Sequence, residues 1–277
     1  MADGDILDRI LDVVGRAADH ALELWADGVP QVRRWDKEPG QPVSDADLAV
    51  DRLLYEGLSG IVPDAGWLSE ETADNGTRQG AERLWLIDPI DGTKDYLAGK
   101  TGWSVSVALV ERGVPVIGVL AAPARGELWV AQAGKGARRN GETLRASGRP
   151  MLAGARVPAE VLPHEDIDLR MVPRPNSIAL RMALVAADEA DLVATIRWGN
   201  EWDVAAAALI AQEAGAQVSD ALGEPLSFNR PDPVAFGILC CAPGIHAAAV
   251  ERLAGRVRRI LGPGRQVEGK AGGGKTV

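Results

Sequence analysis

The chain has 277 residues, of which 46% are hydrophobic and 25% charged, so it contains enough apolar material for a sizeable core in one or two domains. Its 30 Lys and Arg residues against 39 Asp and Glu residues give a net charge of −9, which argues against electrostatic binding to a nucleic acid polymer or an anionic membrane surface. The two cysteines, Cys240 and Cys241, are adjacent, which disfavours a disulfide framework. No apolar run approaches the ~18 residues of a membrane span. We therefore expect a cytoplasmic protein without integral membrane association.

The first half of the chain reads as two helices followed by strands. Apolar residues at helical spacing over 6–25 predict an amphipathic opening helix, and Ser44 followed by Asp47 predicts the capped start of a second helix that ends at Leu58. Short apolar segments bounded by turn residues predict strands over 66–69, 83–87, 103–110, 114–121 and 127–131. This half is predicted to place two helices on a mainly antiparallel sheet.

The second half alternates between the two element types. Helices are predicted over 177–187, 202–214 and 245–261, and strands over 191–196 and 235–241. A looser stretch rich in Gly, Ala and Pro separates the halves, so we predict subdomains over 1–145 and 146–263. Residues 264–277 are dense in Gly and Lys and are predicted to be disordered; their match to an ATP-binding loop lacks the helix that such a loop requires.

The segment from Asp88 to Thr93 carries the most specific signal. Asp88 and Asp91 follow an apolar strand, and two carboxylates at this spacing can converge on one small volume. Pro89 turns the chain, and Gly92 allows the backbone to approach an anion closely. Because histidines are few and scattered, a metal site must use oxygen ligands, which suit a hard cation such as Mg²⁺. The alternative is a strand followed by a turn in which Asp91 caps a helix.

Two other acidic motifs accompany it. Glu70 and Glu71 come at the end of a predicted strand, where alternation lets only one of them point to a given face, although solvated surface is the simpler interpretation. Asp203 precedes an Ala-rich apolar helix, for which capping is the simpler interpretation.

Taken in order and at these separations, the three motifs resemble the inositol monophosphatase family. The resemblance implies Mg²⁺-dependent and commonly Li⁺-sensitive phosphomonoesterases, a layered αβαβα sandwich in two subdomains, and possible homodimers. It implies that the metal ligands are Glu70, Asp88, the carbonyl of Ile90, Asp91 and Asp203. It also implies a catalytic set in which Asp47 and Thr93 orient and help to deprotonate the attacking water, beside Glu70.

The substrate is a small phosphate ester, and local similarity favours the bisphosphate nucleotidases of this family. Ile196 stands where inositol phosphatases have an acid that contacts the ring, and residues 91–96 resemble the nucleotidase pattern. Lys94 and Arg181 would bind a second phosphate, with backbone N–H groups of Gly92 and Thr93 on the first, unless Arg181 is a surface helix residue. We therefore expect hydrolysis of 3′-phosphoadenosine 5′-phosphate. The alternatives are inositol 1-phosphate or another sugar or polyol phosphate, and a non-catalytic binding protein.

Overall fold

The computed structural model describes residues 3–261, in which helices and sheets alternate in layers. Within none of these residues is a helix both long and apolar enough to cross a bilayer. The predictions for 264–277 lie outside the described residues. The helices are α1 (Asp3–Leu24), α2 (Asp45–Leu58), α3 (Thr93–Leu97), α4 (Ile178–Ala186), α5 (Ala205–Glu213) and α6 (His246–Leu261).

The strands of the N-terminal half include all those expected from the sequence, together with shorter ones that carry weaker patterns. They are β1 (Arg34–Glu38), β2 (Gln41–Ser44), β3 (Gly66–Ser69), β4 (Arg83–Asp91), β5 (Ser104–Glu111), β6 (Val114–Ala122), β7 (Glu127–Gln132), β8 (Ala137–Arg139) and β9 (Glu142–Thr143). The later strands are β10 (Arg156–Pro158), β11 (Arg170–Val172), β12 (Leu192–Asn200), β13 (Gln217–Ser219) and β14 (Val234–Cys241).

Strands β3 to β9 form a seven-stranded sheet in sequential order. Only the β3–β4 pair is parallel, so the mainly antiparallel sheet predicted for this half is confirmed. Helices α1 and α2 cover one face, on which Trp85 and Ile87 of β4 are buried. Leu84 and Leu86, which alternate with them, are buried on the opposite face.

Helices α4 and α5 pack against that opposite face. The small residues of α5 permit a close approach to β6, because a Cβ added at Gly118 would lie 2.7 Å from the Ala206 carbonyl oxygen. A second sheet of order β12–β14–β13 lies beyond these helices, and α6 covers its outer side. The αβαβα layering is therefore confirmed.

The second sheet differs from a simple α/β arrangement. β12 and β13 each pair antiparallel with β14, so the two strands joined through α5 run parallel but are separated by β14. One hydrophobic core contains Leu86 and Trp129 of the first sheet, Ala206 of α5 and Cys240 of β14. The two predicted subdomains thus share a core, and the division at 145/146 stays a prediction.

Candidate active site

A bulge in β4 turns two of the predicted acids to the same side of the sheet. Asp88 pairs with Ser106 of β5 and Asp91 pairs with Ser104, so three steps along β4 match two along β5. Acids three residues apart on a regular strand would face opposite sides, and the extra residue of the bulge restores a common side. Because Leu86 faces α4 and α5, both carboxylates lie on the side of those helices. The strand predicted to end at residue 87 therefore continues through both acids.

Glu70 and Asp203 reach Asp88 from two other parts of the chain. Glu70 follows β3, and its backbone N–H donates to the Ile87 carbonyl (3.2 Å), which continues the pairing with β4. Asp203 lies between β12 and α5, where its carboxylate accepts a hydrogen bond from Asn200 N (3.2 Å) and no side chain caps α5. One carboxylate oxygen from each of Glu70, Asp88 and Asp203 lies within 4.8 Å of the others. We call these residues the three-acid group.

Burial and repulsion from neighbouring carboxylates disfavour the charged forms of Asp88 and Asp203. Burial, and then the charges of Glu70, Asp91 and Asp203, hold the pKa of Asp88 well above its ordinary value. Burial, followed by the charges of Asp91 and Glu70, raises the pKa of Asp203 to about 8. Buried carboxylates that repel one another need a positive partner to be charged together. Their oxygen atoms and their proximity therefore fit a hard divalent cation, which Glu70, Asp88 and Asp203 would hold.

Asp91 lies beside this group and is hydrogen-bonded to the N-terminus of α4. One oxygen accepts from the Ser177 hydroxyl and Ala179 N (2.8 Å), and the other accepts from Ile178 N (3.2 Å). Burial, partly offset by these hydrogen bonds, raises the pKa of Asp91 to about 6. The partial positive charge of a helix N-terminus stabilises such a carboxylate. The Asp91 carboxylate is thus hydrogen-bonded to a helix that is distant in sequence. Its role as a metal ligand stays a prediction.

Gly92 is where this segment approaches the start of α4. Its φ of +96° lies in the left-handed region, and an added Cβ would lie 2.7 Å from the Gly102 carbonyl oxygen and 2.9 Å from Ser177 N. Only glycine meets both conditions without strain. The backbone at Gly92 was expected to approach an anion closely. In the structure it approaches the backbone of Gly102 and Ser177.

Asp47 and Thr93 are in contact at the start of two helices. The Thr93 hydroxyl lies 3.2 Å from Asp47 Oδ1 and 3.0 Å from the Ile90 carbonyl oxygen, both of which are acceptors. The Ser44 N–H and hydroxyl donate to Asp47 Oδ2 at 2.8 and 2.6 Å, within the capping box of α2. Burial raises the pKa of Asp47, although the hydrogen bonds from Ser44 lower it. The pair implied by the family resemblance is thus assembled, while its catalytic role stays a prediction.

Lys37 of β1 is a neighbour of the three-acid group that no sequence motif indicated. Its Nζ lies 3.0 Å from Glu70 Oε1 and 2.6 Å from Glu71 Oε1. Burial raises the pKa of Glu71 to about 7, although Lys37 acts in the opposite direction. Every residue of β1 is exposed, so the segment has no apolar alternation that could have marked Lys37. A hairpin of low sequence signal thus contributes a cation beside Glu70.

The predicted substrate-binding residues are brought together only in part. Arg181 is 7% exposed, so it is not a surface residue, and its guanidinium donates to the carbonyls of Pro175 and Asn176. Arg181 and Ile196 line the same cavity of about 620 Å³. Lys94 is exposed in the first turn of α3 and does not line that cavity.

Known proteins are similar to this chain in both sequence and architecture. A model of the inositol monophosphatase family matches residues 7–260. The 3′(2′),5′-bisphosphate nucleotidase CysQ of Escherichia coli (strain K12) is 31% identical over 233 residues, covering 81% of this chain and 94% of its own. Inositol monophosphatase 2 of Solanum lycopersicum is 31% identical over 236 residues, covering 78% and 89%. A solved IMPase of Thermotoga maritima has a TM-score of 0.78 at 28% identity, covering 92% of this chain and 99% of that one.

Proposed function

Because the chain belongs to the inositol monophosphatase family and is a phosphoric monoester hydrolase, we propose that it is a cytoplasmic, Mg²⁺-dependent nucleotidase acting on 3′-phosphoadenosine 5′-phosphate. The observation that carries this proposal is the three-acid group and the bulge in β4 that turns Asp88 and Asp91 to one side. A homodimer, which the family resemblance implies as possible, stays a prediction.

The three-acid group would hold Mg²⁺ through Glu70, Asp88 and Asp203. When bound, the cation supplies the positive charge that lets a phosphate dianion enter an acidic site, and it makes a nearby water easier to deprotonate. The protein itself contributes the arrangement: the bulge turns Asp91 to the side of Asp88, and hydrogen bonds from the α4 N-terminus partly offset the effect of burial on Asp91. With a net charge of −9, the chain needs such a cation to attract a phosphate ester.

Asp47 and Thr93 would position the attacking water. A water that hydrogen-bonds to the Thr93 hydroxyl can pass a proton through it to Asp47, whose Oδ1 is 3.2 Å away. The raised pKa of the buried Asp47 carboxylate makes it a stronger base for this step. Ser44 holds Oδ2 with two hydrogen bonds, which leaves Oδ1 directed at Thr93. The N–H groups of Gly92 and Thr93, at the start of α3, would bind phosphate oxygens.

Hydrolysis of inositol 1-phosphate is the second candidate, because relatives named as inositol monophosphatases match as large a part of the chain. The cavity lined by Arg181 and Ile196 favours the nucleotide instead. Ile196 gives it an apolar wall, and an isoleucine leaves inositol hydroxyls without the acceptor that an acid would supply. A flat base loses little by contact with such a wall.

We expect kcat/KM for 3′-phosphoadenosine 5′-phosphate to exceed that for inositol 1-phosphate by at least ~10-fold, which ~1.4 kcal/mol of differential transition-state binding would produce. Phosphate release from both esters and from fructose 1,6-bisphosphate, with and without Mg²⁺, tests this. Equal or reversed values of kcat/KM for the two esters would instead indicate an inositol phosphatase. Ile196→Glu should raise activity on inositol 1-phosphate, whereas the matched Ile196→Leu variant should not.

At concentrations above its dissociation constant, Mg²⁺ should also raise the midpoint of thermal unfolding in proportion to the logarithm of its concentration. A ligand that binds only the folded state adds ~2.7 kcal/mol at 100 times its Kd, which corresponds to at least ~5 °C for a chain of this size. Differential scanning fluorimetry against a NaCl series of equal ionic strength measures the shift. A midpoint that moves with Zn²⁺ but not with millimolar Mg²⁺ would contradict the assignment of the metal.

A further inference from the structure

A cavity of about 620 Å³ lies between β12, the segment 158–163 and α6. Its walls are largely apolar, with Leu162, Pro163, Ile196 and Leu253 among them. Five arginines also line it, which is unusual for a chain of net charge −9. A cavity that combines apolar walls with several cations suits a ligand that has both a flat or aliphatic part and an anionic group.

Most of these arginines already have acidic partners. Three form ion pairs with acids of the segment 160–168: Arg174 with Glu160 at 3.3 Å, Arg252 with Asp168 at 2.7 Å, and Arg256 with Asp166 at 2.7 Å. The Arg181 side chain donates only to carbonyls, and the Arg197 side chain makes no hydrogen bond or ion pair within the described range 3–261. Arg181 and Arg197 are therefore the two arginines of the cavity that form no ion pair with a carboxylate among residues 3–261, although the charges of Asp91 and Asp95 act on Arg181.

These two arginines line the same cavity, and their positive charges repel each other. Burial first, and then repulsion from Arg174 and Arg197, lowers the pKa of Arg181 to about 10. Arg197 itself is exposed, so its guanidinium is free to contact a ligand. Two arginines that line one cavity, neither of them in an ion pair, can together bind an anionic group.

Arg197 also connects the cavity to the three-acid group. A smaller cavity of about 30 Å³ is lined by Asp203 and Asn200, and it shares Thr195 and Arg197 with the larger one. Because Asp203 and Arg197 both line this smaller cavity, the guanidinium and the carboxylate lie at the same opening. A ligand with one phosphate at the acids would therefore pass Arg197 on its way into the larger cavity.

We propose that Arg197, together with Arg181, binds the non-transferred phosphate of a bisphosphate substrate while the apolar wall holds its organic part. This inference rests on the proposed function, because it specifies which end of the substrate the cavity accepts. It makes Arg197 a specificity-determining residue that the sequence motifs did not identify. The reacting phosphate stays with the three-acid group and the pair Asp47 and Thr93.

The Arg197→Gln variant tests the proposal on two substrates that differ only in the second phosphate. We expect kcat/KM for 3′-phosphoadenosine 5′-phosphate to fall by at least ~10-fold, since a hydrogen bond to a charged group contributes ~1.5–3 kcal/mol. For adenosine 3′-monophosphate we expect a change below ~2-fold, with the Mg²⁺ dependence unchanged. The matched variant Arg258→Gln removes an exposed arginine of α6 that does not line the cavity, and it should resemble wild type on both substrates.

A separate measurement keeps this inference distinct from the choice of substrate. If wild type hydrolyses inositol 1-phosphate but not the nucleotide, the proposed function fails, and the nucleotides are then used as inhibitors of inositol 1-phosphate hydrolysis. Arg197→Gln should raise the inhibition constant of 3′-phosphoadenosine 5′-phosphate by ~10-fold and leave that of adenosine 3′-monophosphate unchanged. An equal effect on both nucleotides, or an effect only on the Mg²⁺ dependence, would contradict the proposed anion site. It would indicate that Arg197 acts through Asp203 instead.

Discussion

The Asp88→Asn variant should lose phosphatase activity by at least ~10³-fold at saturating Mg²⁺, while its metal-free thermal midpoint stays unchanged or rises. The activity falls because Asp88 is central to the three-acid group, and a bound cation contributes several kcal/mol, ~4 kcal/mol being ~10³-fold in rate. The midpoint does not fall because the charges of Glu70, Asp91 and Asp203 disfavour the Asp88 carboxylate. Neutralising one member of a repelling group removes that repulsion.

Phosphate release and differential scanning fluorimetry measure the two effects on the same preparations. Asp19→Asn is a suitable control, because Asp19 is an exposed acid on α1 and its loss changes the net charge by the same amount. The control should keep wild-type activity and the full Mg²⁺-induced shift of the midpoint. Activity of Asp88→Asn within ~10-fold of wild type would remove Asp88 from the metal site.

The Gly92→Ala variant should lower the free energy of unfolding by ~3 kcal/mol, because two costs are added at one position. An alanine at a φ of +96° is strained, and its Cβ would lie 2.7 Å from the Gly102 carbonyl oxygen and 2.9 Å from Ser177 N. Neither obstacle is the end of a flexible side chain, so the backbone must move. Because Gly92 lies between Asp91 and Thr93, that movement should also reduce activity under conditions in which the variant is folded.

Chemical denaturation of Gly92→Ala beside Gly126→Ala separates the two costs. Gly126 also has positive φ, +64°, but an added Cβ there would meet nothing within 4 Å. Gly126→Ala should therefore show only the conformational cost, ~1 kcal/mol, with normal activity. If both variants lose the same stability, the contact between Gly92 and the start of α4 is not what requires glycine.

The main elements could be predicted from local patterns because their hydrophobic periodicity is strong. Helix α2 was expected to start after Ser44 and end at Leu58, and it does, since a capping box and regularly spaced apolar residues are local features. The hairpin of β1 and β2 was not predicted. β1 is exposed along its whole length, so it has no apolar alternation from which a strand could be inferred.

The acidic motifs were also recognisable, but their surroundings were not. Glu70, Asp88 and Asp203 were named in advance as ligands, and the structure brings one oxygen of each within 4.8 Å of the others. For Asp203 the simpler interpretation as a helix cap is wrong, because its carboxylate accepts from Asn200 N and α5 has no side-chain cap. Lys37 was missed because an isolated lysine in a polar segment has no spacing that relates it to Glu70.

The amino-acid sequence by itself determined the main helices and strands, because these depend on periodicity that is local in the chain, and the resemblance carried by its acidic motifs implied the layers and the acids of the proposed site. The tertiary structure alone decided which way those acids point and what balances their charge. The bulge opposite Ser104 and Ser106 turns Asp91 to the side of Asp88. There its carboxylate accepts hydrogen bonds from the N-terminus of α4. The pairing of all cavity arginines except Arg181 and Arg197 was likewise settled by contacts between distant segments. Side-chain direction on a bulged strand and partnership between charges both arise from long-range contacts, which no local pattern encodes.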